Sequence, residues 1–166
     1  MSRSGYTEDC EGWDLIRWRG AVKSAIRGKR GQQTLQEIID VLDAMPEKRL
    51  AAGSLKTEDG EFCTLGALGV KRGLPIDEVD PEDREAVAKM FGIAEAMAAE
   101  IMYLNDEYIN EWKWIVVEIC GPVRPHYPEY GNHATTVRVQ NEIAAEQRWR
   151  YMREWAENNL KESHEH

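Results

Sequence analysis

The chain has 166 residues, of which 42% are hydrophobic and 31% are charged, and its formal net charge is −9 at pH 7. This length and composition are typical of one globular domain with a substantial buried core. No apolar run approaches the roughly 18 residues that a membrane span needs, and the first residues show no apolar stretch typical of a secretory signal.

The chain opens with two predicted helices joined by a short turn. Apolar residues recur at helical spacing over 13–28. They are predicted to form one buried stripe, which comprises Leu15, Trp18, Val22, Ala25 and Ile26. Gly28 and Gly31 are predicted to end the first helix. Thr34 is predicted to start the second helix, with Glu37 completing a capping box.

Turn and cap residues divide the middle of the chain. The Asp-Gly pair at 59–60 predicts a tight turn within a short hairpin or loop over 54–64. Asp80 is predicted to cap a helix that carries Pro81 at its first position. A further helix is predicted over 93–104.

The late part of the chain predicts a pair of strands. The β-branched run at 113–119 indicates a buried strand, and the alternating residues 135–139 are expected to pair with it. A last helix over 142–160 is expected to pack through residues that include Ile143. The predicted fold class is α+β, a mainly helical single domain over 1–166 with a short hairpin and a small late two-stranded element. Its parts are a helical core at 12–111, a strand and proline-loop element at 112–140, and a C-terminal helix at 141–160.

A positively charged tract lies in the first predicted helix. Residues 12–32 contain six Lys and Arg residues against one acid, so this tract carries +5 and the remaining chain −14. Four of the cations are predicted to form a basic ridge: Arg19, Lys23, Arg27 and Arg30. Three interpretations stay open. The first is that the ridge binds nucleic-acid phosphates. The second is that it contacts acids of the same chain or of a second copy in a homodimer. The third is that it binds a foreign acidic partner.

Acidic residues are concentrated further along. Residues 73–111 hold eleven acids and two basic residues, a balance of −9. Five of the acids form the predicted partner-binding acidic arc: Asp77, Glu78, Glu82, Asp83 and Glu107. One interpretation is mimicry of a nucleic-acid backbone in the phosphate-binding groove of a host protein. The alternative is that Asp80, Glu82 and Asp83 only complement a helix dipole, while Glu95, Glu100 and Asp106 extend the negative field. A calcium loop is disfavoured because the DxDxDG spacing is missing.

No catalytic constellation is recognisable. The chain lacks GxSxG, HExxH and GxxxxGK[ST] motifs, and the spacing from Cys120 to His126 matches no nucleophile or metal pattern. The three cysteines form no CxxC pair and are interpreted as reduced thiols of a cytoplasmic protein: Cys10, Cys63 and Cys120. One hypothetical ligand loop, for a small signalling nucleotide, comprises Arg124, His126, Tyr127 and Tyr130. No catalytic residue, metal or cofactor is predicted.

Several stretches carry a resemblance over most of the chain. They are SGYTEDCEGWDLIRWRGAVKSAIRGKRGQ, LDAMPEKRL, EFCTLGALGVKRG, GIAEAMAAEIMYLNDEY and QRWRYMREWAENNL. Together they resemble a group of small uncharacterised proteins of bacteriophages and prophages of proteobacteria. The resemblance implies a cytoplasmic protein of the infected host and assigns no reaction or catalytic residue. Small acidic phage proteins often antagonise host restriction or CRISPR systems by binding, which is an analogy rather than a motif.

The leading hypothesis is a non-enzymatic, phage-type binding protein that inhibits or redirects a host factor through its charged surfaces. The expected partner is a host protein or ribonucleoprotein, such as a CRISPR or restriction complex, and no membrane is involved. A DNA- or RNA-binding regulator that uses the basic ridge is the first alternative. A sponge for a signalling nucleotide is the second.

Overall fold

The computed structural model describes residues 2–5, 12–119 and 133–161, and its architecture is α+β and mainly helical, as predicted. In chain order the elements are α1 (Trp13–Arg27), α2 (Lys29–Ala44), α3 (Thr64–Arg72), a 3₁₀ turn (Ile76–Glu78), α4 (Arg84–Phe91), α5 (Glu95–Glu107), β1 (Trp112–Ile119), β2 (His133–Gln140) and α6 (Ala144–Asn159). The chain forms two compact units, which we call the helical unit (Met1–Ile109 and Ala145–His166) and the hairpin unit (Asn110–Ala144). No helix in the described ranges is long and apolar enough to cross a membrane.

The core of the helical unit forms around the apolar stripe of α2. Leu35, Ile38 and Leu42 are spaced by three and four residues, so they share one helix face, and all three are buried. α2 packs against α1 and α3, while α5 packs against α1, α3 and α4. The core is completed by Val22, Leu65, Leu68, Val87, Phe91, Met97, Ile101, Met152 and Ala156.

Hydrogen bonds join α6 to the rest of the helical unit. Arg148 Nη1 donates to the Leu50 carbonyl at 2.7 Å, and Trp149 Nε1 donates to the Leu42 carbonyl at 3.0 Å. The Leu50 amide in turn donates to the carbonyl of Ala145 at 3.1 Å. The loop after α2 is therefore held by the first half of the predicted C-terminal helix.

The connection between α1 and α2 is shorter than the predicted turn from Gly28 to Thr34. Gly28 alone separates them, and Gly31 lies inside α2, where a Cβ would lie 2.0 Å from the carbonyl oxygen of Ala25. The predicted capping box is wrong, because Thr34 is buried in the middle of α2 and Glu37 pairs with an arginine of α3. Gly31 permits a close approach of two helices instead of ending one.

The cap predicted at Asp80 is also wrong. α4 begins at Arg84, and its N-cap is Asp83, whose Oδ1 accepts a hydrogen bond from the Ala86 amide at 3.0 Å. Asp80 instead accepts from the Glu82 amide at 2.9 Å in the preceding turn. Both acids suit an N-cap chemically, and the turn that ends at Asp83 decides which of them serves.

The hairpin unit contains the predicted strand pair. β1 and β2 run antiparallel, and Ile115 pairs with Val137. The expectation of a buried strand is wrong, because Trp114 and Val116 are each 69% exposed. The described part of this unit holds only these two strands, and it contains no second layer that packs on them. Ile143, expected to pack, is also half exposed.

Candidate partner-binding surfaces

The first residue of the basic ridge has an internal partner. Arg19 Nη1 donates to Oε2 of Glu100 at 2.6 Å. Glu100 lies on α5 and is only 5% exposed. A buried carboxylate needs a partner because it has lost its hydration. Arg19 therefore supports the packing of α1 on α5, a role that spacing on α1 does not reveal.

This contact predicts different effects for two cations of the same helix. We expect Arg19→Gln to lower the free energy of unfolding by about 1–2 kcal/mol, because the Glu100 carboxylate stays buried without its arginine. Lys23 is exposed, so we expect Lys23→Gln to change stability by less than about 0.5 kcal/mol. Urea unfolding followed by circular dichroism measures both. Equal effects would contradict the structural role of Arg19.

The other ridge residues are exposed but do not lie on one helix. Lys23 and Arg27 lie on α1, whereas Arg30 lies on α2, beyond the break at Gly28. Arg30 Nη1 donates to the Gly92 carbonyl at 3.2 Å. The expected line along α1 therefore extends only as far as Arg27, and Arg30 continues it on another helix: cations of two helices meet at a corner.

The acidic arc residues divide by their local roles. Asp77 and Glu78 lie in the 3₁₀ turn and, like Glu82, are exposed, and no described cation forms an ion pair with these three. Asp83 caps α4. Glu107 accepts hydrogen bonds from two serine hydroxyls of the N-terminal segment. Two of the five acids thus have a structural contact, and a partner-binding role for the arc stays a prediction.

Acids expected to extend the negative field are engaged inside the helical unit. The pairs are Glu95 with Arg84 at 2.8 Å, Glu100 with Arg19 at 2.6 Å and Asp106 with Arg3 at 2.5 Å. Pairing with a cation reduces the field that each carboxylate projects into solvent. The exposed negative charge near α4 and α5 is therefore smaller than the sequence count of acids indicates.

Exposed apolar side chains cover the hairpin unit, where the sequence pattern predicted a buried strand. We call this set the hairpin surface: Trp112, Trp114, Ile115, Val116, Val117 and Val137. Side chains alternate between the faces of a strand, so the tryptophans and Val116 share one face. The Arg138 guanidinium lies 4.6 Å from the centre of the Trp112 ring on that face, a cation–π distance. The number of predicted strands could have indicated this exposure, because a sheet of two strands buries neither face by itself.

A second, smaller set of exposed apolar residues lies at the start of α1. Trp13 is 75% exposed and Ile16 is 61% exposed. Leu15, predicted to belong to the buried stripe, is 42% exposed. The stripe becomes buried only further along α1, where Val22 and Ile26 contact the core.

The proposed ligand-loop residues Arg124, His126, Tyr127 and Tyr130 lie outside the described residues. Within the described ranges, no three His, Cys, Asp or Glu side chains are grouped closely enough to hold a metal ion. Cys63 is buried at the start of α3, where its sulfur accepts a hydrogen bond from the Gly66 amide at 3.3 Å. This cysteine has a capping role in the fold.

The described residues therefore offer three candidate binding surfaces: the hairpin surface, the exposed cations where α1 meets α2, and the exposed acids of the acidic arc. Large exposed apolar patches and clustered charges are typical of interaction sites. No protein-family model, curated protein or solved structure matches this chain.

Proposed function

We propose that this chain is a non-enzymatic, phage-type binding protein that inhibits or redirects a host protein in the bacterial cytoplasm. Host defence complexes of the CRISPR or restriction type are the class of target that we favour. The observation that supports binding is the hairpin surface, with two exposed tryptophans and four exposed β-branched side chains on one short element.

Tryptophan is the side chain most suited to anchor such a contact. Interface hot spots are enriched in Trp, Tyr and Arg that become fully desolvated on binding. Trp112, Trp114 and Arg138 supply these residue types on one face of the strand pair. Burying both tryptophans beneath a partner removes the unfavourable exposure of two large apolar rings.

The hairpin can also offer backbone groups to a partner. A two-stranded sheet has two outer edges with unpaired amide and carbonyl groups, and the described strands pair only with each other. A partner strand that adds to an edge would gain main-chain hydrogen bonds along with side-chain contacts. The exposed acids Asp77, Glu78 and Glu82 would then contribute mainly to the rate of encounter.

The hairpin contact is tested with a photo-crosslinking residue placed at Trp114 of the full chain. In a proteobacterial lysate we expect one specific adduct from this position. We expect none from the same residue placed at Glu58, an exposed position in a turn of the helical unit. Adducts of equal pattern from both positions would contradict a site in the hairpin.

A matched pair of variants then measures affinity for the captured protein. Trp114→Thr with Val116→Thr removes exposed apolar area while keeping good strand formers, and we expect it to weaken binding at least about 30-fold. Trp13→Gln with Ile16→Gln removes similar exposed area from α1 and serves as the control. Both variants should keep the melting temperature, since all four side chains are exposed. Loss of binding only in the α1 variant would overturn the assignment.

A further inference from the structure

Basic side chains gather where α1 meets α2. We call this set the cationic corner: Lys23, Arg27, Lys29, Arg30 and Lys161. Lys161 reaches the corner from the end of the described chain, and its Nζ donates to the carbonyl of Arg27 at 2.6 Å. Unlike the ridge expected from spacing, the corner includes Lys29 and Lys161 and excludes Arg19, which bonds to Glu100.

No described carboxylate neutralises the cationic corner. None of its five basic groups forms an ion pair within the described residues. The first turn of α2 contains no acid, and Glu95, the acid in the first turn of neighbouring α5, is already bonded to Arg84. Acids further away are screened, because the Debye length is about 8 Å at physiological salt. Among the described residues the corner therefore keeps a local excess of positive charge, in a chain of net charge −9.

A cleft of about 500 Å³ opens beside Lys29 and Arg30, between the α1–α2 junction and the start of α5; the other three cations of the corner are not among the described residues that line it. Its lining combines Lys29 and Arg30 with small residues that include Ser24, Gly28 and Ala94. Lys, Arg and Ser side chains are typical phosphate contacts, and small neighbours let a phosphate approach them closely. None of the described residues that line this cleft is aromatic, whereas protein interfaces are enriched in aromatic anchors. This composition favours phosphate over an acidic protein surface.

We propose that the cationic corner binds the phosphate backbone of nucleic acid. This inference does not depend on the hairpin contact, which lies in the other unit. Lys23 and Arg27 are one helical step of four residues apart, about 6 Å along the axis. Phosphates follow one another at about 3.4 Å of axis along each strand of duplex DNA, so this distance along α1 spans more than one phosphate of a strand. Contacts of this kind position a nucleic acid without reading its sequence.

The test uses the full chain and a fluorescently labelled DNA duplex of arbitrary sequence, with binding followed by anisotropy. Four to five phosphate contacts lower the affinity roughly 150- to 500-fold when salt rises from about 50 to about 200 mM. We expect this steep dependence for the natural sequence. Absence of binding at the lower salt concentration would overturn the proposal.

Two charge-matched variants locate the binding surface. The corner variant combines Lys23→Gln, Arg27→Gln and Lys29→Gln, and we expect it to lose roughly tenfold or more in affinity and about 3 units of the log–log salt slope. The control variant combines Lys56→Gln, Lys71→Gln and Lys89→Gln, three exposed lysines elsewhere in the helical unit. It removes the same number of positive charges as the corner variant, and we expect its affinity and its log–log salt slope to stay those of the natural sequence. Equal losses in both variants would overturn the assignment to the corner.

A competition experiment separates nucleic acid from an acidic protein. Poly-glutamate carries a similar density of negative charge but no phosphate. We expect unlabelled duplex to displace the labelled DNA far more effectively than poly-glutamate at equal charge concentration. Equal displacement would overturn the nucleic-acid assignment in favour of an acidic protein partner.

Discussion

Gly66→Ala is expected to destabilise the helical unit by about 3 kcal/mol, although alanine is the better helix former. Gly66 lies in the first turn of α3, where a Cβ would lie 1.8 Å from the carbonyl oxygen of Leu55 and 2.8 Å from its carbonyl carbon. Both atoms belong to the backbone of a buried residue, so neither can move aside as a flexible side chain could. The steric cost therefore exceeds the propensity gain of about 1 kcal/mol.

Gly20→Ala is the matched control for this prediction. Gly20 lies in the middle of α1, and a Cβ there would meet no heavy atom within 4 Å. We expect this variant to gain about 0.5–1 kcal/mol, since alanine loses less conformational entropy on folding than glycine. Urea unfolding measures the free energy of unfolding of each variant and of the natural sequence. A Gly66→Ala variant as stable as the natural sequence would show that α3 and the Leu55 segment do not approach so closely.

Arg3→Met is expected to cost about 3 kcal/mol, because it leaves a largely buried carboxylate without its cation. Arg3 Nε and Nη2 donate to the two oxygens of Asp106 at 2.5 and 2.8 Å, and the arginine side chain is only 3% exposed. Asp106 Oδ1 also accepts from the Gly53 amide at 3.0 Å and from Asn105 Nδ2 at 2.9 Å. These remaining donors are neutral, so they compensate the buried charge only in part.

The same pair predicts how stability depends on pH. Burial alone would raise the pKa of Asp106, but the hydrogen bonds and charge of Arg3, with those of Gly53 and Asn105, hold it below its usual value. The folded pKa therefore lies below the unfolded value of about 3.9. The stabilisation is complete above the unfolded pKa and is lost as the pH falls through the folded pKa. In the Arg3→Met variant the pKa of Asp106 should rise. As the pH falls, the loss of stability should therefore begin at a higher pH than in the natural sequence.

Urea unfolding between about pH 3 and pH 6 tests this dependence. Arg153→Met is the control, since Arg153 pairs with Asp43 at 2.6 Å on the exposed surface. We expect that variant to change stability much less, because solvent screens an exposed pair. Equal effects of the two substitutions would contradict a buried role for Arg3.

Local patterns were sufficient for the fold class and for some helix ends. Leu35, Ile38 and Leu42 recur along α2 at spacings of three and four residues, the pattern of a buried helix face, and all three are buried. Gly92 ends α4 in the left-handed conformation at φ 64°, which glycine adopts without strain. The Asp-Gly turn places Gly60 at φ 83° and joins segments that form an antiparallel bridge. These features depend on residues within a few positions of one another.

Features that depend on how the elements pack could not be predicted in this way. Gly31 looked like a helix end because a sequence does not show that Ala25 passes directly over it. Arg19 looked like part of a solvent-facing ridge because its partner, Glu100, is far away in the chain. The hairpin residues looked buried because a β-branched run indicates a strand but does not tell how many strands or layers will cover it.

Periodicity and turn chemistry thus established an α+β protein with helices and one late strand pair, since these preferences arise from local backbone and side-chain energies. Packing decided which glycines allow close contact, which cations are paired and which apolar faces stay exposed. These outcomes depend on the neighbours that folding brings together from distant parts of the chain. The candidate binding surfaces belong to this second group, because a surface consists of the groups that packing leaves without a partner.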